Sequence, residues 1–368
     1  VTTMIAKRID EWFEHFHAHP EISFKETETT RKLAEIMDEF GISYKLFGDI
    51  PGLVAEMGTG DEVIALRADM DALWQEVDGV YQANHSCGHD ANMAMVLGAL
   101  ALLMDVPLTR KVRFIFQPAE EKGNGALAAI ERGAADGVTH LYGVHLRPQE
   151  ELPLGKVAPA IHHGAGVFLR GKITGEDAHG ARPHQGANAV DALFAIHQFI
   201  KSIYFSPFEP YSAKLTNLHA GGDSVNIIPG TASFAVDARA QSNEVLEKLR
   251  DRIEEGLRGI GALYGVDITA EWDDYIPAAE VSSEAAALTR AAVEASVGKN
   301  MLAEEVVTPG GDDFHFYTIR NPGIKAAMVG VGADLGPGLH HPNMTFNREA
   351  LYTGALVLAE TVKRTANR

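Results

Sequence analysis

Apolar and polar positions alternate along this chain with two different periods. Ile5, Ile9, Trp12, Phe13 and Phe16 recur at helical spacing with charges between them. That pattern predicts a core-facing helix over roughly residues 4–19, rather than a signal peptide. A second helix is predicted over residues 27–40, closed by Gly41. The pattern then turns extended. "LVAEM", "EVIALRADM", "KVRFIFQPAE" and "HLYGVHL" are short apolar runs that end in polar or charged residues. Helical stretches near residues 92–104 and 125–132 separate some of them. Such alternation predicts an α/β fold, a mostly parallel sheet with helices on both faces. Ligands of these sheets bind beyond the carboxyl ends of the strands, so the polar residues there are where chemistry is expected.

Near Gly164 the texture changes. A strand and a Gly-rich turn in "GVFLRGKITGEDAHGARPH" precede a helix at about residues 189–202. Two strands follow, "AKLTNLHAGG" and "TASFAVDARA", then a charged helix and a last strand, "VDITAEWDD". This is enough chain for a compact α+β domain. The α/β texture returns after Pro277, with a helix near residues 283–297, a strand "IKAAMVGVG" and a C-terminal helix from about Arg348. The simplest organisation is a discontinuous α/β domain, 1–163 and 277–368, carrying an inserted α+β domain at 164–276. The length of 368 residues fits two domains.

Composition narrows the function. Charged residues make up 22% of the chain and the net charge is −18. With no long runs of Lys or Arg, neither nucleic acid nor an anionic membrane is expected as the main partner. No segment approaches the ~18 uninterrupted apolar residues of a membrane span. The single cysteine excludes an intrachain disulfide framework, and a reducing cytoplasm is the expected location.

Five places carry candidate ligands. "RADMDA" sets Asp69 and Asp71 at a strand end. "HSCGHD" contains Cys87 and His89. "FQPAEE" sets Glu120 and Glu121 after a strand, "YGVHLRP" carries His145, and "GPGLHHPN" carries His340 and His341. Thiolate, imidazole and carboxylate together are the ligand set of zinc and similar divalent ions. Two adjacent carboxylates invite a division of roles, one binding metal and the other taking a proton from water. Alone, each piece has an ordinary structural reading: a core cysteine, turn aspartates, acids at a helix start. Their joint placement at strand ends argues for a metal-assisted hydrolase. A closed structural zinc site would bring its ligands at short spacing, whereas these spread from Cys87 to His340. His15, His17 and His19 end a helix far in sequence from this set and are read as structural.

Together these residues resemble the metal-dependent aminoacylase and carboxypeptidase superfamily, most closely its amidohydrolase branch of hippurate hydrolases and auxin–amino acid conjugate hydrolases. "HAHPEISFKETETT", "RADMDAL", "SCGHD", "FQPAEE", "GVHLRP", "DAHGARPHQGAN", "NIIPG", "DDF" and "LHHP" follow in family order. The resemblance implies a metallopeptidase-type catalytic domain with a lid domain through which a homodimer forms. It implies two divalent ions per chain, zinc, manganese, cobalt or nickel, held by Cys87, His89, Glu121, His145 and His340. The pattern Leu-His-x-Pro selects His340 and leaves His341 as the alternative. Glu120 matches the general base acting on a metal-bound water, and Asp71 matches the acid that orients a ligand. His179 matches a histidine that polarises the scissile carbonyl, often contributed across a dimer interface or after lid closure. Asn226 and Arg239 match positions that hold the substrate carboxylate.

The activity so implied is hydrolysis of the amide bond of N-acyl amino acids or related small amides. A dipeptidase or carboxypeptidase of the same superfamily is the near alternative. A metal-binding sensor without catalysis is the distant one, and Glu120 argues against it because a mere binder needs no base. The chain departs from the family pattern at Asn92, where a histidine is usual, and at Trp74, where proline is common. "QGAN" also replaces the more usual "QG-x-D". These departures bear on substrate specificity.

Overall fold

The computed structural model describes residues 2–368; residue 1, the first of the expected catalytic domain, lies outside them. The chain forms two compact units. One comprises Val1–His162, Glu280–Val307 and Asp313–Arg368, and the other His163–Ala279 with Thr308–Asp312.

The first unit is built on a seven-stranded sheet. Its strand order is Ser43–Leu46, Leu53–Met57, Lys111–Gln117, Val63–Asp69, Val138–Pro148, Lys325–Leu335 and Val157–Ala158. The four strands from Lys111–Gln117 to Lys325–Leu335 run parallel, and the other three strands pair antiparallel with their neighbours. Val63–Asp69 is buried at every residue, as expected of a central strand covered on both sides. The parallel register sets Asp69 beside Gln117, so the segments that leave these two strands start side by side.

Helix His89–Leu103 begins three residues earlier than its apolar pattern suggests. It is buried almost throughout, consistent with its all-round apolar composition. It packs against Thr2–Ala18 and Glu349–Ala366. Gly98 makes this approach possible: a Cβ there would lie 2.5 Å from Ile9 Cδ1 and 2.7 Å from Ala355 Cβ. The strand carrying His145 runs on to Pro148, so His145 lies inside a strand rather than at its end. The stretch after Asp71 forms a hairpin, Leu73–Val77 with Val80–Asn84, which the sequence pattern does not show.

The second unit has a four-stranded antiparallel sheet in the order Tyr211–Ala220, Thr231–Ala240, Ala165–Thr174, Asp267–Ile276. Alternate residues of the two central strands are buried. That face packs against helices Ala189–Lys201 and Asn243–Tyr264. Asn188 and Ser242 cap these helices through their side chains. Thr308–Asp312 joins the unit by backbone bonds, with Gly164 N–H donating to Thr308 O (3.1 Å) and Gly310 O (3.0 Å). No helix among the described residues is long and apolar enough to cross a membrane.

The glycine contact yields a stability prediction. Gly98→Ala forces a methyl into a packed three-helix contact, and overpacking of this kind costs about 1–3 kcal/mol. Thermal unfolding of the variant is expected at a clearly lower temperature than wild type.

Candidate active site

All nine candidate residues of the five motifs, from Asp69 to His341, belong to the first unit. Cys87 precedes helix His89–Leu103 and His89 opens it. Gly88 between them has φ +80°, a backbone state that suits glycine and lets cysteine and histidine serve one site. Cys87 Sγ lies 3.7 Å from His145 Nε2. The His145 Nδ1 is 2.7 Å from Leu146 O, which makes Nδ1 the donor and leaves the Nε2 lone pair facing the thiol.

His340 Nε2 lies 3.2 Å from Glu121 Oε1. His89 Nε2 is 3.8 Å from both Glu120 Oε2 and Glu121 Oε1, and 3.5 Å from Asp69 Oδ2. Potential ligand atoms of Cys87, His89 and His145 fall within 4.8 Å of one another. The same holds for Cys87, Glu121 and His340, and for His89, Glu120 and Glu121.

The donor set fits divalent cations. Thiolate, imidazole and carboxylate suit zinc and its neighbours. Two of the donors, His89 Nε2 and Glu121 Oε1, are buried with no hydrogen-bond partner among the described residues. A buried polar atom left in that state costs free energy unless something else satisfies it. Electrostatics agree. Burial opposes a charged His89, yet the Asp69 carboxylate and the Cys87 sulfur push its pKa well up, so the site favours positive charge at that position. Burial, with Glu121 beside it, pushes the Cys87 thiol up. A neighbouring dication reverses that preference and stabilises the thiolate.

Asp71 organises this group from behind. Its Oδ1 lies 3.2 Å from His89 Nδ1 and accepts from Glu120 N (3.1 Å). Its Oδ2 accepts from Ser23 Oγ (2.6 Å) and Glu121 N (3.0 Å). Burial alone would raise its pKa, but these bonds hold it below the usual carboxylate range.

Deeper still, Arg67 donates to Asp69 (2.9 Å), Gln117 (2.9 Å) and Asp313 (2.6 Å). Asn92 donates to Asp69 at 2.8 Å. The hairpin holds the His340 loop: Gln75 Nε2 donates to His340 O (3.0 Å) and Asn84 Nδ2 to Pro342 O (3.0 Å).

Sequence reasoning did not single out Ser23, Glu26, Arg67 or Asp313. Arg67 carried a signal, since a charge inside an apolar strand needs partners. Ser23 and Glu26 lie within "HAHPEISFKETETT" without any local mark of their role. Of the three helix-end histidines, His17 Nδ1 sits 2.7 Å from Asp90 Oδ2, and His15 and His19 stack with ring centroids 4.6 Å apart. Exposed His341 faces the backbone, its Nδ1 accepting from Asn343 N at 3.1 Å.

His179, Asn226 and Arg239 belong to the second unit. His179 pairs with Ile227 across a short ladder, and Gly180 N donates to Asn226 O at 2.7 Å. Arg239 lies on the strand Thr231–Ala240, with its Nε 2.9 Å from Asp237 Oδ1.

Comparison with known proteins gives a consistent picture. Residues 65–364 match peptidase family M20/M25/M40. An N-acetylcysteine deacetylase of Bacillus subtilis is 30% identical over 382 residues, 94% of this chain and 96% of that protein. The IAA-amino acid hydrolase ILR1-like 6 of Arabidopsis thaliana is 32% identical over 372 residues, 95% of this chain and 78% of its own length. A Rhodococcus jostii relative named for a glutamate--cysteine ligase is 30% identical over 374 residues, and the chain spans 46% of its length. Among solved structures, a dinuclear metal-binding peptidase of the M20 family from Bacillus subtilis superposes with a TM-score of 0.85 at 27% identity. That match covers 100% of this chain and 99% of that one.

One buried acid gives the centre a pH signature. Burial and the nearby Asp71 carboxylate push Glu26 from 4.5 up to about 8. The folded chain therefore keeps a proton that the unfolded chain releases. The resulting stabilisation is complete below about pH 4.5 and is lost as pH rises to about 8. Glu26→Gln cannot titrate. Wild type is expected to lose thermal stability relative to this variant between about pH 5 and 8, read from paired melting curves.

Proposed function

The chain belongs to peptidase family M20/M25/M40, and from that membership we propose that it hydrolyses the amide bond of N-acyl amino acids. Cys87, His89, Glu121, His145 and His340 would hold two divalent cations. The observation that carries this reading is one thiol, three imidazoles and two adjacent carboxylates meeting in overlapping groups. Cys87 is shared between a group with His89 and His145 and another with Glu121 and His340, which supports two ions rather than one. Zinc, manganese, cobalt and nickel all suit these donors. The N-acyl amino acid class rests on relatives named as an N-acetylcysteine deacetylase and an IAA-amino acid hydrolase.

Bound cations would supply Lewis acidity at the scissile carbonyl and to the attacking water. The protein does the rest. Glu120 takes a proton from the attacking water and delivers it to the leaving nitrogen, so that the amine departs neutral. Asp71 accepts from His89 Nδ1–H through its backbone oxygen (2.8 Å) and its carboxylate (3.2 Å) and so turns the Nε2 lone pair toward the donor cluster. His179 polarises the carbonyl, while Asn226 and Arg239 take the substrate carboxylate, Arg239 by a bidentate fork. A sole cysteine engaged as a ligand suits a reducing compartment such as the cytoplasm.

A homodimer fits the second unit's geometry. His179 lies beyond the Thr231 end of the strand that carries Arg239. The eight residue steps from Thr231 to Arg239 span roughly 26 Å of extended chain. That span favours His179 and Arg239 reaching one small substrate from different copies. The edge strand Tyr211–Ala220 and the exposed Phe194, Leu218, Val225 and Ile227 offer a surface for the second copy.

Two experiments test these readings. A panel of N-acetyl, N-benzoyl and indole-acetyl amino acids with dipeptides should show preference for the N-acyl compounds; preference for dipeptides would favour a peptidase. On the best substrate, Glu120→Gln should lower kcat by about 10²–10⁴-fold with bound metal near wild type, and surviving turnover would refute the base. For the dimer, His179→Ala and Arg239→Ala should each be inactive alone. Mixed and allowed to exchange, they should recover about a quarter of wild-type activity, since half the dimers would carry one intact site.

A further inference from the structure

The acid pair sits on an unusual turn. Ala119, just before Glu120, has φ +56° and ψ +39°, a left-handed state that side-chain-bearing residues avoid. The three amides that follow Pro118 all end on carboxyl groups. Ala119 N donates to Glu26 Oε1 (2.8 Å), Glu120 N to Asp71 Oδ1 (3.1 Å), and Glu121 N to Asp71 Oδ2 (3.0 Å). Asp71 accounts for two of the three, and Glu26 for the first.

We propose that Glu26 is a positioning residue for the acid pair: its Oε1 captures the Ala119 amide and holds the strained turn that aims Glu120 and Glu121. The inference rests on the roles given to those two residues above. Glu26 is fully buried, and its other oxygen, Oε2, has no hydrogen-bond partner among the described residues. The bond to Ala119 is therefore the contact that this burial serves.

Glu26 is itself held rigidly. Thr30 donates to its carbonyl through both N (3.0 Å) and Oγ1 (2.6 Å). The helix it heads, Thr27–Phe40, buries Leu33, Ile36 and Met37. The same segment supplies Ser23 to Asp71 and accepts Ala72 N on Glu21 O at 2.8 Å. One short stretch, residues 21–26, thus steadies both the orienting acid and the turn of the base. A neutral carboxyl and a glutamine amide present the same acceptor oxygen to Ala119, so Glu26→Gln preserves the contact and Glu26→Ala removes it. Ala119→Gly offers a separate handle, because glycine adopts the left-handed state without the Cβ penalty.

The test measures Zn²⁺ affinity of the full chain by competition with a chromophoric chelator, alongside kcat and KM on the best N-acyl amino acid. Glu26→Ala should weaken Zn²⁺ binding about 10–100-fold, as loss of a ligand-supporting contact does. At saturating metal it should lower kcat by up to about 10²-fold with KM nearly unchanged. Glu26→Gln should stay within about threefold of wild type, and Ala119→Gly added to Glu26→Ala should recover most of the loss. Wild-type behaviour of Glu26→Ala, or equal damage in Glu26→Gln, would overturn the inference. Should Glu26→Ala not fold, Glu26→Gln decides: near-wild-type Zn²⁺ affinity supports the acceptor role and a tenfold loss refutes it. A wild type inactive on every N-acyl amino acid would sink the proposed activity, while Zn²⁺ competition would still judge Glu26.

Discussion

The carboxylate of Asp71 joins segments that lie far apart in the sequence. Ser23, His89 and the amides of Glu120 and Glu121 all bond to its two oxygens. A buried carboxylate is tolerable only when its lone pairs are taken up, and here each oxygen has two partners. The consequence is geometric as well as energetic. Fixing one residue at a strand end sets the tautomer of His89, whose Nδ1 also meets the Asp71 backbone oxygen at 2.8 Å, together with the angle of the acid pair and the course of the N-terminal segment. Displacing it would disturb all of them together.

Glu26 has a different electrostatic character from its neighbour. Asp71 is held charged by donors, whereas burial and the Asp71 charge push Glu26 up to about 8. Two carboxyl groups serve successive amides of one turn, one ionised and one neutral at pH 7. If both were ionised, their repulsion would act on the Ala119–Glu121 turn. Placing the neutral acid on Ala119 keeps the acceptor while avoiding that repulsion.

Much of this could be read from the chain, for identifiable reasons. The strand Val63–Asp69 and helix Thr27–Phe40 follow from local apolar patterns, residue chemistry near strand and helix ends marks Cys87, His89, Glu121 and the His340 loop as candidates, and the resemblance in motif order singles out His145 and His340 among the histidines. Other parts are tertiary and leave no local trace. The hairpin after Asp71 is one: Trp74, Val80 and Tyr81 are exposed and none of its strand residues is fully buried, so its apolar residues mark no core-facing side. The start of helix His89–Leu103 is another, since polar His89, Asp90 and Asn92 are buried by partners remote in sequence. Thr308–Asp312 joins the second unit through backbone bonds that no side-chain pattern encodes. Ser23 and Glu26 are polar residues in a polar stretch, and only the fold reveals the groups they face.

Asn92 shows how a departure from the family pattern is absorbed. Its side chain is buried on the helix that His89 opens, and its amide donates to Asp69 Oδ1. Asp69 is the acid whose other oxygen takes Arg67 and lies 3.5 Å from His89 Nε2. A histidine at this position could also donate to Asp69, but it could carry a proton and so alter the charge beside His89. Asparagine cannot titrate. Asn92 therefore supplies a hydrogen bond to the buried Arg67–Asp69–Asp313 chain without placing an ionisable group at its edge. The donors Cys87, His89, Glu121, His145 and His340 stay as they are, so the change acts on the electrostatic background of the centre rather than on the donor set.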